Sequence, residues 1–357
     1  HNKFLPDKAI DVIDAAGAKA KLAQAPSVTK HMIQQQVSKI SNVPMDVIDE
    51  KQTDNYAGLE GKVKTKVYGQ NEAIEKIVDS IMIAKAGLRP FNKPIGSYLF
   101  VGPTGVGKTE VCRQLADSLG IKLLKYDMSE YQERHSVSKL IGAPPGYVGY
   151  AEGSIGSGQL INDVEDNPNC VLLLDEVEKS APEVLQVLLQ VMDDGKLTSS
   201  TGKTVMFNKV ILCLTSNLGA QASEKPPMGI GRPDSVNATD DYVKDFFAPE
   251  FRNRLDATIQ FNKLSKDNIL KIVNKVKDET NEMLKDKKVI VVLDDTASRW
   301  IADKGFDPSM GARPMQRIFD QNVKRPLSKE ILFGKLINGG TVIVKAVNDK
   351  LELEYKQ

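Results

Sequence analysis

No run of 18 apolar residues occurs in the chain, so no segment is long enough to cross a bilayer as a helix. No signal-peptide pattern opens it either. Sulfur is scarce: Cys112, Cys170 and Cys213 are the only cysteines, and they are isolated. Without a C-x-x-C pair or a Cys/His cluster there is neither a zinc site nor a disulfide framework to read. All three lie in apolar segments and are expected as small buried residues of a reducing cytosol. Histidine is equally rare, at His1, His31 and His135. A Ser-His-Asp hydrolase has little to be built from, and His135 reads as a polar helix or loop residue. An excess of either charge is missing too. With 48 Lys and Arg against 47 Asp and Glu, the net charge is +1, and no global field draws the chain to nucleic acid or anionic lipid. There is no internal repeat and no low-complexity tract.

What is present is the composition of an ordinary globular protein, 41% hydrophobic and 27% charged over 357 residues. That length suits two or three domains. The chain opens at His1 rather than a methionine, and the expectation is that it begins inside a larger protein.

The most informative stretch is Gly102-Pro-Thr-Gly-Val-Gly-Lys-Thr109. It follows the apolar run Tyr98–Val101 and opens the amphipathic stretch Thr109 to Leu119. Strand, glycine-rich loop and helix form the context of a phosphate-binding loop, and G-x-x-x-x-G-K-[ST] is complete here. Gly102, Gly105 and Gly107, with Pro103, Thr104 and Val106 between them, let backbone N–H groups curl around phosphate oxygens at a helix N-terminus. Lys108 would reach the β- and γ-phosphates, and the Thr109 hydroxyl would help hold Mg²⁺.

The second landmark is Val171-Leu-Leu-Leu-Asp-Glu176, an acidic pair ending a buried strand about 70 residues further on. A parallel sheet places its ligand site at such strand ends. Asp175 would hold Mg²⁺ through water, and Glu176 would orient and activate an attacking water. Asn217 ends another apolar strand; its amide would hold the same water, or it is simply a strand-end turn residue. Arg254, in Phe251-Arg-Asn-Arg254, and Arg313 each could neutralise γ-phosphate charge or be ordinary surface arginines; residue type alone does not separate these. Gly142-Ala-Pro-Pro-Gly-Tyr-Val-Gly-Tyr150 places Tyr147 in a glycine- and proline-rich loop, which suits a binding role or a hydrophobic turn equally.

Helices and apolar strands alternate from Tyr98 to Phe261, with strands expected at 98–101, 123–127, 170–174, 210–215 and 258–261. The near-continuous apolar runs suit a parallel sheet covered by helices on both faces. Residues 1–52 read as helices from the tail of an upstream domain, 53–262 as the large α/β domain and 263–357 as a smaller α+β domain. Asp49 to Gly61 reads as a polar connector.

Together and in this order, several stretches resemble the signatures of the Clp unfoldase family of AAA+ ATPases. They are the phosphate loop through Glu110, Asp127-Met-Ser-Glu-Tyr131, the Tyr147 loop, Leu174-Asp-Glu-Val-Glu-Lys179, Pro249-Glu-Phe-Arg-Asn-Arg-Leu-Asp256 and Met310-Gly-Ala-Arg-Pro314. The likeness is strongest to the second ATPase module of ClpA-type members, with ClpC- and ClpB-type members near. Leu5-Pro-Asp-Lys-Ala-Ile-Asp11 is similar to the lid of a first module, which implies a chain lacking its front half.

The resemblance implies an AAA+ P-loop core with a C-terminal lid, ATP or ADP with Mg²⁺, and a cytoplasmic homo-hexameric ring that threads unfolded proteins. It places Val67 and Tyr68 by the adenine, makes Asn217 and Arg313 the two sensors, and makes Arg254 the finger that completes a neighbour's site. It makes Tyr147, with Val148, the pore residue that grips substrate, and Thr198–Lys203 a second pore loop. Two departures stand out. The loop after Tyr150, Gly153-Ser-Ile-Gly-Ser-Gly-Gln159, is a few residues longer than the family's compact turn. In Pro227-Met-Gly-Ile-Gly-Arg-Pro233, the family's ClpP-docking tripeptide is matched by Ile230-Gly231 but ends in Arg232; Met228-Gly229-Ile230 is the alternative anchor. The leading expectation is an ATP-dependent unfoldase feeding a ClpP-type peptidase, the alternative a stand-alone ClpB-like disaggregase. A nucleic-acid motor is disfavoured by the neutral charge and by a pore loop built on tyrosine.

Overall fold

The structure is a computed structural model, and it describes residues 6–22, 25, 27–41, 56, 58–142, 158–199, 202–218, 235–307 and 310–356. Its centre is a five-stranded parallel sheet built from β1 (Gly96–Val101), β2 (Lys122–Asp127), β3 (Cys170–Asp175), β6 (Val210–Ser216) and β7 (Ala257–Gln260). The spatial order is β2-β3-β6-β1-β7. The apolar runs become strands buried on both faces, as their lack of polar alternation requires. Tyr98, Phe100, Val171, Leu173, Ile211 and Cys213 face one core, and Leu99, Val101, Leu172, Leu174, Leu212 and Leu214 face the other. Helices Asn71–Lys85 and Lys108–Leu119 cover the first face, through Ile74, Ile77, Val111 and Leu115. Helices Arg134–Ile141, Gln159–Asp166 and Pro182–Asp194 cover the second, through Leu140, Ile161 and Leu188.

A two-stranded hairpin, β4 (Lys196–Thr198) and β5 (Thr204–Met206), precedes β6. Strands this short carry too little pattern to be read from sequence. Helix Leu59–Lys64 likewise falls partly in the stretch expected as a polar connector. It forms because Leu59 and Val63, one turn apart, both bury against the helices beside it.

A separate apolar cluster gathers around a three-stranded sheet, β8 (Val289–Leu293), β9 (Gly340–Val347) and β10 (Lys350–Lys356), in the order β10-β9-β8. β8 runs parallel to β9, and β10 antiparallel. Helix Lys266–Met283 starts where the Ser265 hydroxyl accepts from Asn268 N at 3.3 Å, and buries Ile269, Val273 and Val276. Asp294 caps the next helix, accepting from Ala297 N at 2.7 Å. The run from Pro314 to Phe333 is helical throughout but widens to π geometry at Asp320–Lys324. Pro326 follows one residue later; its ring would clash with the carbonyl one α-turn back and it donates no N–H, which the wider turn accommodates. At the other end of the chain, helices Asp7–Leu22 and Lys30–Ser41 pack on each other, burying Ala16 and Ala20.

Cys112, Cys170 and Cys213 are all free and buried. His135 lies on helix Arg134–Ile141, 3.1 Å from the Glu133 carboxylate. No described helix is long and apolar enough to cross a membrane.

Candidate nucleotide-binding site

The strand order decides which side chains meet. β6 lies between β1 and β3, so the residue leaving β6 sits between the loop that follows β1 and the acids that end β3. Asn217 occupies that place. Its Oδ1 accepts from Lys108 Nζ at 2.8 Å, and its Nδ2 donates to Glu176 Oε1 at 3.0 Å. Its own backbone N–H is held by Glu178 Oε1 at 2.9 Å.

Lys108 is 7% exposed. Its ammonium donates to Gly102 O at 2.6 Å, Pro103 O at 3.0 Å and Asn217 Oδ1. These three acceptors are neutral, so the cation is bonded without a carboxylate in contact. Burial therefore pulls its pKa down to about 8, against the smaller opposing pull of Glu178, Asp175 and Glu176. A buried cation satisfied by neutral oxygens is an electrostatic seat for an anion.

Asp175 ends β3 with its two oxygens in different roles. Oδ1 accepts from the Thr215 hydroxyl, while Oδ2 lies 3.4 Å from Thr109 Oγ1 and 2.8 Å from Lys125 Nζ. Thr215 Oγ1 also accepts from Glu176 N at 3.0 Å. Glu176 itself has φ of 58°, a left-handed conformation uncommon for a non-glycine residue and found preferentially at functional sites. Its carboxylate is pinned by Asn217 and by Lys179.

A cavity of about 590 Å³ joins these groups. Thr104 to Glu110, Asp175, Glu176 and Asn217 line it, as do Val67, Tyr68 and Arg313. Val67 is buried and Arg313 precedes helix Pro314–Phe319. The segment before that helix closes directly on the glycine-rich loop: Ala312 N donates to Gly105 O at 3.2 Å. Gly105 and Gly311 both have positive φ, and a Cβ on either would fall within 2.6 Å of the other segment's backbone. Glu110 faces the same neighbours, accepting from Lys275 Nζ at 2.6 Å, and Lys275 also donates to Lys66 O at 3.0 Å.

Arg254 is elsewhere. It is paired with Asp193 and, at 3.1 Å, with Glu250, and it does not line the cavity. Thr198 and Lys203 flank the turn of the β4–β5 hairpin. Tyr147, Val148, Met228, Gly229, Ile230 and Gly231 lie outside the described residues.

Thr109 and Asp175 offer the hard oxygen donors that suit Mg²⁺. Among the described residues no group of three or more His, Cys, Asp or Glu gathers to make a protein-only cage. The pair thus fits a cation that completes its shell with water and phosphate oxygens. Several residues of the site escape motif reading: Thr215, Gln70, Lys125 and Lys275. Thr215 carried a signal, as a polar residue inside the fully buried strand Val210–Ser216. Gln70, 3% exposed, donates to Val106 O at 3.2 Å and Asn262 O at 2.9 Å, and so ties the loop to the segment after β7. A glutamine before a helix gives no such hint.

Three family models match the chain. Residues 93–258 match the AAA domain (Cdc48 subfamily), 264–344 the C-terminal, D2-small domain, of ClpB protein, and 1–63 an AAA lid domain. A ClpA homolog protein of Fuscovulum blasticum is 46% identical over 361 residues, covering 100% of this chain and 45% of its own length. A chaperone protein ClpB of Enterococcus faecalis is 40% identical, covering 92% of this chain and 38% of its own length. An ATP-dependent Clp protease ATP-binding subunit ClpE of Lactococcus lactis is 37% identical, covering 90% and 50%. The chain thus spans half or less of the length of these relatives.

The lowered pKa of Lys108 makes a pH prediction. If Lys108 meets a bound phosphate, which would favour the ammonium, affinity for ADP would depend on a proton that the free protein loses as pH rises through about 8. ADP affinity, followed with a fluorescent ADP analogue, is expected to hold steady from pH 7 to 8. Above that it should fall by up to about tenfold per pH unit. Affinity that stays level to pH 10 would mean that the free protein keeps Lys108 protonated throughout, against the effect of its burial.

Proposed function

Because the chain belongs to the Clp family of AAA+ ATPases, we propose that it is the ATP-hydrolysing module of a ring-forming protein unfoldase. The observation that carries this reading is the chain of contacts Lys108–Asn217–Glu176, which sets a phosphate-seeking cation and a carboxylate on the two ends of one amide.

In this reading the glycine-rich loop and Lys108 bind the phosphates of ATP, and Val67 and Tyr68 flank the adenine. Thr109 and, through water, Asp175 would hold Mg²⁺, which when bound neutralises phosphate charge. Glu176 draws the proton from the attacking water. Asn217 keeps Glu176 at a fixed distance from Lys108 and orients the same water. Arg313, on the cavity wall, offsets charge on the phosphates. Arg254 is held by Asp193 and Glu250 away from its own cavity, which supports a role at the site of a neighbouring copy. A finger shared in this way needs a closed ring, a hexamer by resemblance. Tyr147 and Val148 grip the substrate chain in its pore, and repeated hydrolysis threads an unfolded protein through in the cytoplasm.

The destination of the threaded chain divides two readings. One relative is named as a Clp protease ATP-binding subunit and another as a chaperone ClpB. The apolar residues Met228 and Ile230, set in a long polar stretch, favour docking of a ClpP-type peptidase. A stand-alone disaggregase is the second reading.

Glu176→Gln in the full-length protein is expected to retain ATP while hydrolysis falls about a hundredfold or more, the usual scale for losing a general base. Turnover equal to wild type would defeat the role given to Glu176. Tyr147→Ala is expected to keep hydrolysing ATP yet fail to thread a fluorescent substrate protein; undiminished threading would take Tyr147 out of the mechanism. The peptidase question is settled by sedimenting Glu176→Gln with ATP and ClpP, beside a version lacking residues 226–233. Co-migration that depends on those residues supports the protease-coupled reading. Rings that never bind the peptidase support the disaggregase.

A further inference from the structure

The carboxylate of Asp175 has one oxygen to spare, and a lysine already sits on it. Oδ1 is taken by the Thr215 hydroxyl. Oδ2 is the oxygen that faces Thr109 Oγ1, at 3.4 Å, and it is also the one 2.8 Å from Lys125 Nζ. A cation shared by Thr109 and Asp175, or the water on it that reaches Asp175, would meet the oxygen that faces Thr109, which is the atom Lys125 holds.

The placement follows from strand register. Lys125 lies on β2, at the edge of the sheet, opposite Leu173 of β3. Asp175 is two residues beyond Leu173 and so on the same face, a diagonal neighbour within reach of a long side chain. Lys125 lines the cavity, and 46% of its side chain is exposed. The ammonium can thus leave Asp175 for water at little cost. Its other acidic neighbour on β2, Asp127, is occupied by the backbone and hydroxyl of Ser129.

The geometry points to Lys125 as a positioning residue that competes with the divalent cation for Asp175 Oδ2, and so sets how much metal the site needs to bind nucleotide. This rests on the reading of Thr109 and Asp175 as the metal-facing pair. In the metal-free state Lys125 supplies the positive charge at Asp175 and keeps its carboxylate turned toward Thr109. When the metal enters, that ion pair is given up, and its loss raises the metal concentration required.

The test is binding of Mn²⁺, read by electron paramagnetic resonance, to the full-length protein saturated with ADP. Lys125→Gln is expected to lower the half-saturating Mn²⁺ concentration about two- to fivefold, the range for losing one partly exposed ion pair. Lys125→Arg should stay near wild type, because it keeps the charge. Asp175→Asn should weaken Mn²⁺ binding, and adding Lys125→Gln to it should then change nothing further. A Lys125→Gln protein that needs as much Mn²⁺ as wild type, or more, overturns the competition. If Asp175→Asn leaves Mn²⁺ binding untouched while ADP still binds, the metal-facing pair is wrong and the proposal falls with it. If wild type binds no ADP, the nucleotide reading itself fails.

Discussion

A lysine ammonium buried among neutral oxygens is the constraint on which the rest of the site depends. Such a group is tolerable only if each of its donors is satisfied, and the oxygens of Gly102, Pro103 and Asn217 supply that. Two of the three come from the glycine-rich loop itself, so the cation organises the loop that surrounds it. The third comes from a different strand, and this is where sheet topology enters. Only because β6 separates β1 from β3 can one short amide touch both Lys108 and Glu176. The amide is the right group for the place. A carboxylate there would neutralise the ammonium and weaken its pull on an anion, while an apolar residue would leave both neighbours short of a partner.

The same loop is where the smaller unit reports on the larger one. Gly105 and Gly311 approach backbone to backbone, closer than any side chain would allow. Lys275 binds Glu110 at the first turn of the helix that follows the loop, and also the backbone of Lys66. Gln70 binds Val106 in the loop and Asn262 at the start of the connection to the smaller unit. A phosphate entering the loop therefore meets three segments that lead directly to the three-stranded sheet and its helices. Any coupling between the loop and that unit would run through contacts that are immediate.

The sheet was legible in the sequence because strands buried on both faces leave unbroken apolar runs, and Val171–Leu174 is one. The candidate site was legible because a glycine-rich loop and an acidic pair stand at the ends of such runs, where a parallel sheet brings them to one cavity. What stayed hidden has physical reasons. Helix Leu59–Lys64 has one and a half turns of pattern and is made by tertiary burial rather than by propensity. The π turn at Asp320–Lys324 is a local response to Pro326 whose form depends on packing. Arg254 and Arg313 are alike in sequence, and only the fold turns one onto the cavity wall and binds the other to Asp193. Lys125 and Thr215 act through a register between strands that are distant in sequence, which no local spacing reveals.

The acidic groups at the strand ends show how the site avoids repelling the phosphates it is built to receive. Asp175, Glu176 and Glu178 crowd one end of the sheet, yet each is held by a different kind of partner. Asp175 has the Thr215 hydroxyl and Lys125, Glu176 has the Asn217 amide and Lys179, and Glu178 has a backbone N–H. The two lysines are the exposed members of this set, each with nearly half of its side chain in water. Ion pairs of that kind are worth little and exchange readily. The hydroxyl, amide and backbone contacts are the inner ones, and they fix direction rather than charge. The site thus separates two tasks: neutral, buried groups aim the carboxylates, and loose surface cations balance them.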